Sequence, residues 1–204
     1  MRNSKVLVSA LCAVFALTLM VAAQTSGNTA PKQGDHQMTM RPGGQQESAK
    51  QPLSPRGQST FSFADGKTIT VDYGRPYIRN RKIMGGLVPY DKVWRTGANA
   101  ATGFVTQAPL EMGNAMIPAG SYTLYTIPSE NGWKLIVNKQ TGQWGTQYDE
   151  SRDLVRIDMK TSKLEKPVDQ FTISFDKQGP NAGIMKLEWE NTQASIEFTE
   201  ANTK

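Results

Sequence analysis

From Leu53 onward, apolar and polar residues alternate along short segments, which is the pattern of β-strands with one buried face. No long segment shows the 3.6-residue period of an amphipathic helix. The alternation predicts strands near residues 61–63, 69–73, 102–106, 109–113, 121–127, 133–138, 155–159, 171–175, 185–189 and 196–198.

A turn signal, Ala-Asp-Gly-Lys at 64–67, joins the first two of these strands. A three-residue loop over 65–67 with a bulge pairs Phe63 with Ile69 and keeps one face of the hairpin apolar. We therefore expect an antiparallel hairpin in that register.

The last two segments are predicted to form a second hairpin, around Asn191-Thr192. This register pairs Leu187 with Ile196 on the apolar face. On the solvent face it pairs Lys186 with Glu197, an opposite-charge cross-strand pair. Because both faces agree, the sequence favours a tight turn at this position.

About nine or more short strands, separated by turn signals, predict an all-β fold, either an antiparallel β-sandwich or a flattened barrel. At most one short helix is expected, at Tyr90–Arg95. No compositional boundary follows residue 53, so residues 53–204 are expected to form a single domain. A domain of this size can bury roughly two thirds of the surface of its unfolded chain.

The N-terminal part of the chain has a different composition. Two basic residues precede the apolar run Val6–Val21, and small residues follow, which is typical of a signal peptide over residues 1–23. Residues 24–52 contain no Val, Ile, Leu, Phe, Tyr or Trp, and are expected to be a disordered polar spacer. No second apolar run follows. We therefore expect a periplasmic or secreted protein with no membrane insertion after cleavage.

Composition narrows the chemistry of the domain. The whole chain has a formal net charge of +5, but residues 53–204 contain 18 basic and 16 acidic residues. This balance disfavours a nucleic-acid partner, which would select a strongly basic face. The single His, His36, and the single Cys, Cys12, both precede residue 53. We therefore expect no metal site and no cofactor, and favour a non-catalytic protein over an enzyme.

The alternation stops between residues 73 and 99. Residues 73–95 include six basic residues and one acid, whereas residues 96–204 include 10 basic and 13 acidic residues. Long segments without regular structure are often functional. We hypothesise that two arginines of this basic loop face one pocket with aromatic walls. The candidate ligand-binding residues are Tyr73, Arg75, Trp94, Arg95 and Asn99.

Each candidate also has a structural interpretation. Arg75 and Arg95 suit bidentate binding of a carboxylate or phosphate, but they could instead pair with Asp72 or Asp91 and fix the loop. Trp144 lies in a polar loop and is the candidate exposed aromatic, but it could instead cover one end of the barrel. No catalytic residues are assigned.

Several longer motifs resemble one family. They are Asp72-Tyr73-Gly74-Arg75-Pro76, Arg81-Lys82-Ile83-Met84-Gly85-Gly86-Leu87-Val88-Pro89-Tyr90, Val93-Trp94-Arg95-Thr96-Gly97-Ala98-Asn99 and Ile117-Pro118-Ala119-Gly120-Ser121-Tyr122. Over roughly residues 55–200 the chain resembles an uncharacterised secreted bacterial family, domain of unknown function 2911. It departs from that family at Ala100, where many members carry Glu. The resemblance implies a bacterial extracytoplasmic protein and implies no activity.

Three functions remain open at this point. The favoured one is a non-catalytic secreted module that binds a glycan or an anionic small ligand through residues 73–99. The second is an envelope accessory or structural protein that acts through protein contacts. The third is an enzyme that uses carboxylates or Arg and Tyr side chains.

Overall fold

The computed structural model describes residues 53–201, so the predicted signal peptide and spacer lie outside the described residues. The elements are β1 (Arg56–Ser62), β2 (Thr68–Gly74), β3 (Thr102–Thr106), β4 (Leu110–Met112), β5 (Ala115–Ile117), β6 (Gly120–Ser129), β7 (Gly132–Asn138), a 3-10 turn (Glu150–Arg152), β8 (Asp153–Lys177) and β9 (Ala182–Glu200). Within the described part of the chain, no helix is long and apolar enough to cross a membrane.

The predicted all-β antiparallel fold is confirmed. The nine strands form one hydrogen-bonded order, β1-β2-β3-β6-β7-β8-β9-β4-β5, which is not closed into a barrel. The sheet folds over its own core, because Phe61 of β1 packs edge-on against Phe198 of β9 with ring centroids 5.0 Å apart. The ring of Phe61 also lies near that of Phe175 of β8, with the centroids 6.0 Å apart. Strands far apart in the sheet order therefore share one apolar core.

The first hairpin has the predicted faces but a different register. Phe61, rather than Phe63, lies opposite Ile69. The amide of Phe63 donates to the carbonyl of Lys67 at 2.9 Å, and the three-residue loop ends at Gly66, whose φ is +88°. Glycine adopts this left-handed conformation without steric cost, which fixes the loop one residue earlier than predicted.

The second predicted hairpin is wrong. Residues 182–200 form one continuous strand, β9, which pairs along its length with β8. Leu187 lies opposite Ile173 rather than Ile196. Lys186 pairs with Asp176 at 2.9 Å. The expected turn at Asn191-Thr192 is therefore absent from the described strand.

The cause lies at Glu190, whose φ is +54°. Before this residue the odd-numbered side chains of β9 are buried, and from Ala194 onward the even-numbered ones are. A local irregularity thus exchanges the two faces of one strand. Alternation alone cannot distinguish this exchange from a tight turn, because both change which positions are buried.

The short helix expected at Tyr90–Arg95 is also wrong. The amide of Trp94 donates to the carbonyl of Thr126 at 2.7 Å, and the amide of Thr126 donates back to Trp94 at 2.9 Å. The amide of Asp91 donates to Pro128 at 2.8 Å. This segment therefore lies antiparallel against the end of β6 instead of coiling, and it borders the candidate site.

Candidate functional site

Tyr73 belongs to the core. Its side chain is 2% exposed, and its hydroxyl donates to the carbonyl of Ile173 at 3.1 Å while accepting from the amide of the same residue at 2.8 Å. The ring packs edge-on against Phe171, with centroids 5.7 Å apart. The hydroxyl therefore holds β2 against β8 both as a hydrogen-bond donor and as an acceptor.

Arg75 is half-buried and holds the same two elements together. Its Nε donates to the carbonyl of Phe171 at 3.3 Å and its Nη2 donates to Oγ1 of Thr172 at 3.1 Å. The stem lies over Gly57, where an added Cβ would be 2.3 Å from Cδ of Arg75. These contacts make Arg75 a strap between strands rather than a free guanidinium.

Asp72 and Asp91 were the expected ion-pair partners of Arg75 and Arg95, and neither forms such a pair among the described residues. Asp72 forms its ion pair with Arg56. Within the described residues, no carboxylate lies within 4.0 Å of the guanidinium of Arg75 or Arg95, so the expected pairing with Asp91 is absent as well. The alternative that the loop is fixed by internal ion pairs is therefore wrong.

Trp94 is 8% exposed and joins an aromatic cluster. Its ring lies 5.0 Å from Phe171 and 5.9 Å from Trp189, stacked on the latter with an interplanar angle of 17°. It packs edge-on against Trp133 at 6.2 Å. Trp94 is thus a core residue, and its exposed remainder contributes to a surface hollow.

This hollow, which we call the Arg95 hollow, has a volume of about 420 Å³. Its walls are Val93, Trp94, Arg95, Tyr125, Gly145, Thr146 and Tyr148. Of the five predicted binding residues, two therefore line it, and three (Tyr73, Arg75 and Asn99) do not. The two arginines have different surroundings, since Arg75 lies against β8 and Arg95 against Gly145.

Arg95 is half-buried, and its guanidinium has no hydrogen-bond acceptor among residues 53–201. Only its carbonyl is engaged, accepting from Oγ1 of Thr102 at 3.2 Å. The guanidinium presents five donors in a planar fork that matches a carboxylate or phosphate. With respect to the described part of the chain, Arg95 is therefore an unpaired cation in this hollow and is suited to an anionic group.

The loop carrying Gly145 closes one side of the hollow. The amide of Gly145 donates to the carbonyl of Asn99 at 3.0 Å, and an added Cβ at this glycine would be 2.5 Å from Cδ of Arg95. Asn99 thus acts through its backbone. The neighbouring Trp144 forms a bridge with Ala100 and is 52% exposed, as expected for this aromatic.

Gln143 fixes the same loop from inside. It is 8% exposed, and its Nε2 donates to the hydroxyl of Tyr125 at 3.1 Å and to Oγ1 of Thr123 at 3.3 Å. Burial is the main cause that raises the pKa of Tyr125 above its ordinary value. The wall formed by this tyrosine is therefore neutral and held in place.

Tyr148 forms the adjoining part of this wall, with its ring packed edge-on against that of Tyr125 and the centroids 4.8 Å apart. Its hydroxyl donates to Oδ2 of Asp153 at 2.6 Å and accepts from Nη2 of Arg156 at 2.9 Å. Burial, followed by the hydrogen bond to Asp153, raises the pKa of Tyr148 to about 12. The phenol is therefore neutral at pH 7, with its hydroxyl engaged both as donor and as acceptor.

A search of family models matches residues 54–198 to a family described as a protein of unknown function, DUF2911. The chain belongs to the DUF2911 family. No curated protein and no solved structure matches this DUF2911 chain. The match covers both the loop that carries Arg95 and the loop that carries Gly145.

Sequence reasoning found part of the site of this DUF2911 protein. It singled out Trp94 and Arg95 through the basic excess of their loop. It missed Tyr125 and Tyr148, because strand alternation offered no sign that a distant loop covers the outer face of β6. The polar run around Trp144 was the available signal, since it contains the glycine against which Arg95 packs.

Proposed function

We propose that this domain is a non-catalytic binding module, acting outside the cytoplasm, that takes an acidic sugar in the Arg95 hollow. The observation that carries the proposal is a half-buried guanidinium, unpaired within residues 53–201, in a concave site beside the half-buried ring of Tyr148. Ligand sites are commonly concave, lined by aromatic side chains and provided with a few oriented polar groups.

Two features of the walls support a sugar ring as the body of the ligand. Tyr148 is half-buried and presents neutral aromatic surface, against which the C–H face of a pyranose packs favourably, and Tyr125, 1% exposed, supports it from behind. Their positions are fixed by hydrogen bonds to Gln143 and Asp153. A preorganised site loses less conformational freedom on binding.

The carboxylate of a uronic acid provides the partner for Arg95. A charge-assisted bidentate pair is among the stronger polar interactions available to a protein. The hydroxyl of Tyr148 is already engaged by Asp153 and Arg156, so it is not free to act on a bound sugar. Binding without turnover is therefore the function that these residues support best.

The test is a thermal-shift titration with glucuronate. At about ten times Kd, linkage predicts stabilisation of about 1.4 kcal/mol, and thus a rise in Tm of about 3–6 °C. Arg95→Met keeps the length of the stem and should abolish the shift. Arg79→Met, at an exposed arginine of the same basic loop, is the matched control and should retain it. A shift that persists in Arg95→Met contradicts the proposal, as does no shift in the wild type.

A further inference from the structure

Three hollows lie along β6, and the Arg95 hollow is the first of them. Successive strand residues point to opposite faces, so Tyr125, Ile127 and Ser129 share the face opposite the buried Thr126. These three side chains are spaced about 6.6 Å apart at two-residue intervals. Tyr125 lines the Arg95 hollow, and the other two line further hollows.

The second hollow, which we call the Ile127 hollow, has a volume of about 360 Å³. Its lining includes Asp91, Ile127, Ser129, Lys134 and Asp158. The antiparallel bridge between Trp94 and Thr126 places Val93 of the first hollow beside Ile127 of the second. The two hollows are therefore neighbours on one face.

The third hollow, which we call the hydroxyl hollow, has a volume of about 370 Å³ and shares Ser129 and Trp133 with the second. Its polar lining is rich in neutral hydrogen-bonding groups. These are Ser129, Thr161, Ser162, Asn191 and Thr192. Hydroxyl and amide groups both donate and accept hydrogen bonds, which matches the hydroxyls of a sugar.

Charge distinguishes the Arg95 hollow from the other two hollows. Arg95 provides the cation of the first hollow, whereas Asp91 and Asp158 contribute carboxylates to the second, where Lys134 pairs with Asp158. The hydroxyl hollow includes one acid and one base, Glu130 and Lys163. Lys134 offsets Asp158, so Asp91 leaves the second hollow with a net negative charge, which disfavours a second acidic sugar but not a neutral one.

We infer that the natural ligand is an oligosaccharide with one acidic unit in the Arg95 hollow and neutral units extending along β6 toward Thr161 and Ser162. This inference rests on the proposed function and adds its chain length, direction and charge pattern. Three observations support this inference together: the first two hollows are neighbours, the second and third share lining residues, and the lining changes from cationic to hydroxyl-rich.

The experiment is calorimetric titration of residues 24–204 with three probes: glucuronate, aldotriouronic acid (glucuronic acid linked to two xylose units) and trigalacturonic acid. We expect aldotriouronic acid to bind at least about tenfold more tightly than glucuronate, because a few added hydrogen bonds suffice for that ratio. It should also bind more tightly than trigalacturonic acid.

A double variant locates the extension. Thr161→Val with Ser162→Ala removes two hydroxyls at exposed positions, and should reduce aldotriouronic acid binding at least about fivefold while leaving glucuronate binding within about twofold. Thr199→Val removes an exposed hydroxyl of β9 outside the three hollows, and should change neither.

The outcomes separate the two proposals. If no probe binds, the proposed function fails and this inference fails with it. If glucuronate binds and aldotriouronic acid binds no more tightly, the proposed function stands and the extended site is overturned. Preference for trigalacturonic acid, or an unchanged preference for aldotriouronic acid in the double variant, also overturns the inference.

Discussion

Two arginines of the same loop are expected to respond in opposite ways to the same substitution. Arg75 donates to Phe171 and Thr172, whereas the guanidinium of Arg95 has no acceptor among residues 53–201. Replacement by Met keeps most of the side-chain length and removes the charge and donors. Arg75→Met should therefore destabilise the domain, and Arg95→Met should leave the stability of the unliganded protein nearly unchanged.

The magnitude follows from the contacts. A hydrogen bond to a charged group contributes about 1.5–3 kcal/mol, and we take about 1–1.5 kcal/mol for each bond because Arg75 is half-buried. Loss of both bonds then costs about 2–3 kcal/mol. For a domain of this size that lowers Tm by about 4–12 °C. Arg95→Met should stay within about 0.5 kcal/mol of the wild type, or about 2 °C.

Urea unfolding followed by tryptophan fluorescence measures both free energies of unfolding, with calorimetric Tm as a second readout. An Arg75→Lys variant tests the geometry, since one ammonium cannot reproduce the guanidinium fork, and it should recover only part of the loss. Equal destabilisation by Arg75→Met and Arg95→Met would refute the distinction between strap and ligand-binding arginine.

Three further outcomes are expected. Leu187→Ala should lower the free energy of unfolding in urea by about 2–5 kcal/mol, because Leu187 is 1% exposed. Lys186→Ala should lower it by less than about 1 kcal/mol, because it removes only a partly exposed ion pair, and equal losses would contradict the face assignment. Glu190→Gly should stabilise the domain by about 0.5–1 kcal/mol, because glycine adopts the left-handed conformation of this residue without strain. Glu188→Gly should destabilise it by about as much, and a change of the same sign in both variants would contradict the irregularity in β9. The pKa of Tyr148 is raised to about 12 from an ordinary 10.0, and the stabilisation that this shift gives the folded state is fully present below pH 10 and is lost as the pH rises toward 12. Tyr148→Phe should flatten this decline in the free energy of unfolding, and an unchanged slope would contradict the shift.

The strand faces could be predicted because alternation reports burial directly. Phe61, Phe63 and Ile69 are all buried, as the pattern indicated. The register could not be fixed in the same way, because a two-residue slip leaves every side chain on its original face. The left-handed Gly66 selects the observed register, and its conformation is not visible in the alternation.

The error in β9 has the same origin. The change of buried positions between Trp189 and Ala194 was correctly detected, but it marks an irregular residue, Glu190, within one strand. The favourable Lys186–Glu197 pairing of the expected hairpin was a coincidence, since these residues bind Asp176 and Lys160 instead.

The candidate site was partly predictable for a different reason. Local charge excess identified Arg95, because six basic residues and one acid between 73 and 95 leave most cations of this loop without an acid within it. The same reasoning misplaced Arg75, whose partners on β8 are about a hundred residues distant in sequence. Only the folded chain shows which guanidinium is occupied by carbonyl and hydroxyl acceptors.

The most direct test of the central claim is a crystal structure of the domain soaked with glucuronate. The account predicts difference density for the sugar in the Arg95 hollow, with its carboxylate within about 3 Å of the guanidinium of Arg95 and its ring against Tyr148. Glucuronate density at the exposed Arg79 or Arg81 with an empty Arg95 hollow, or no density at a concentration that saturates binding in solution, would contradict it.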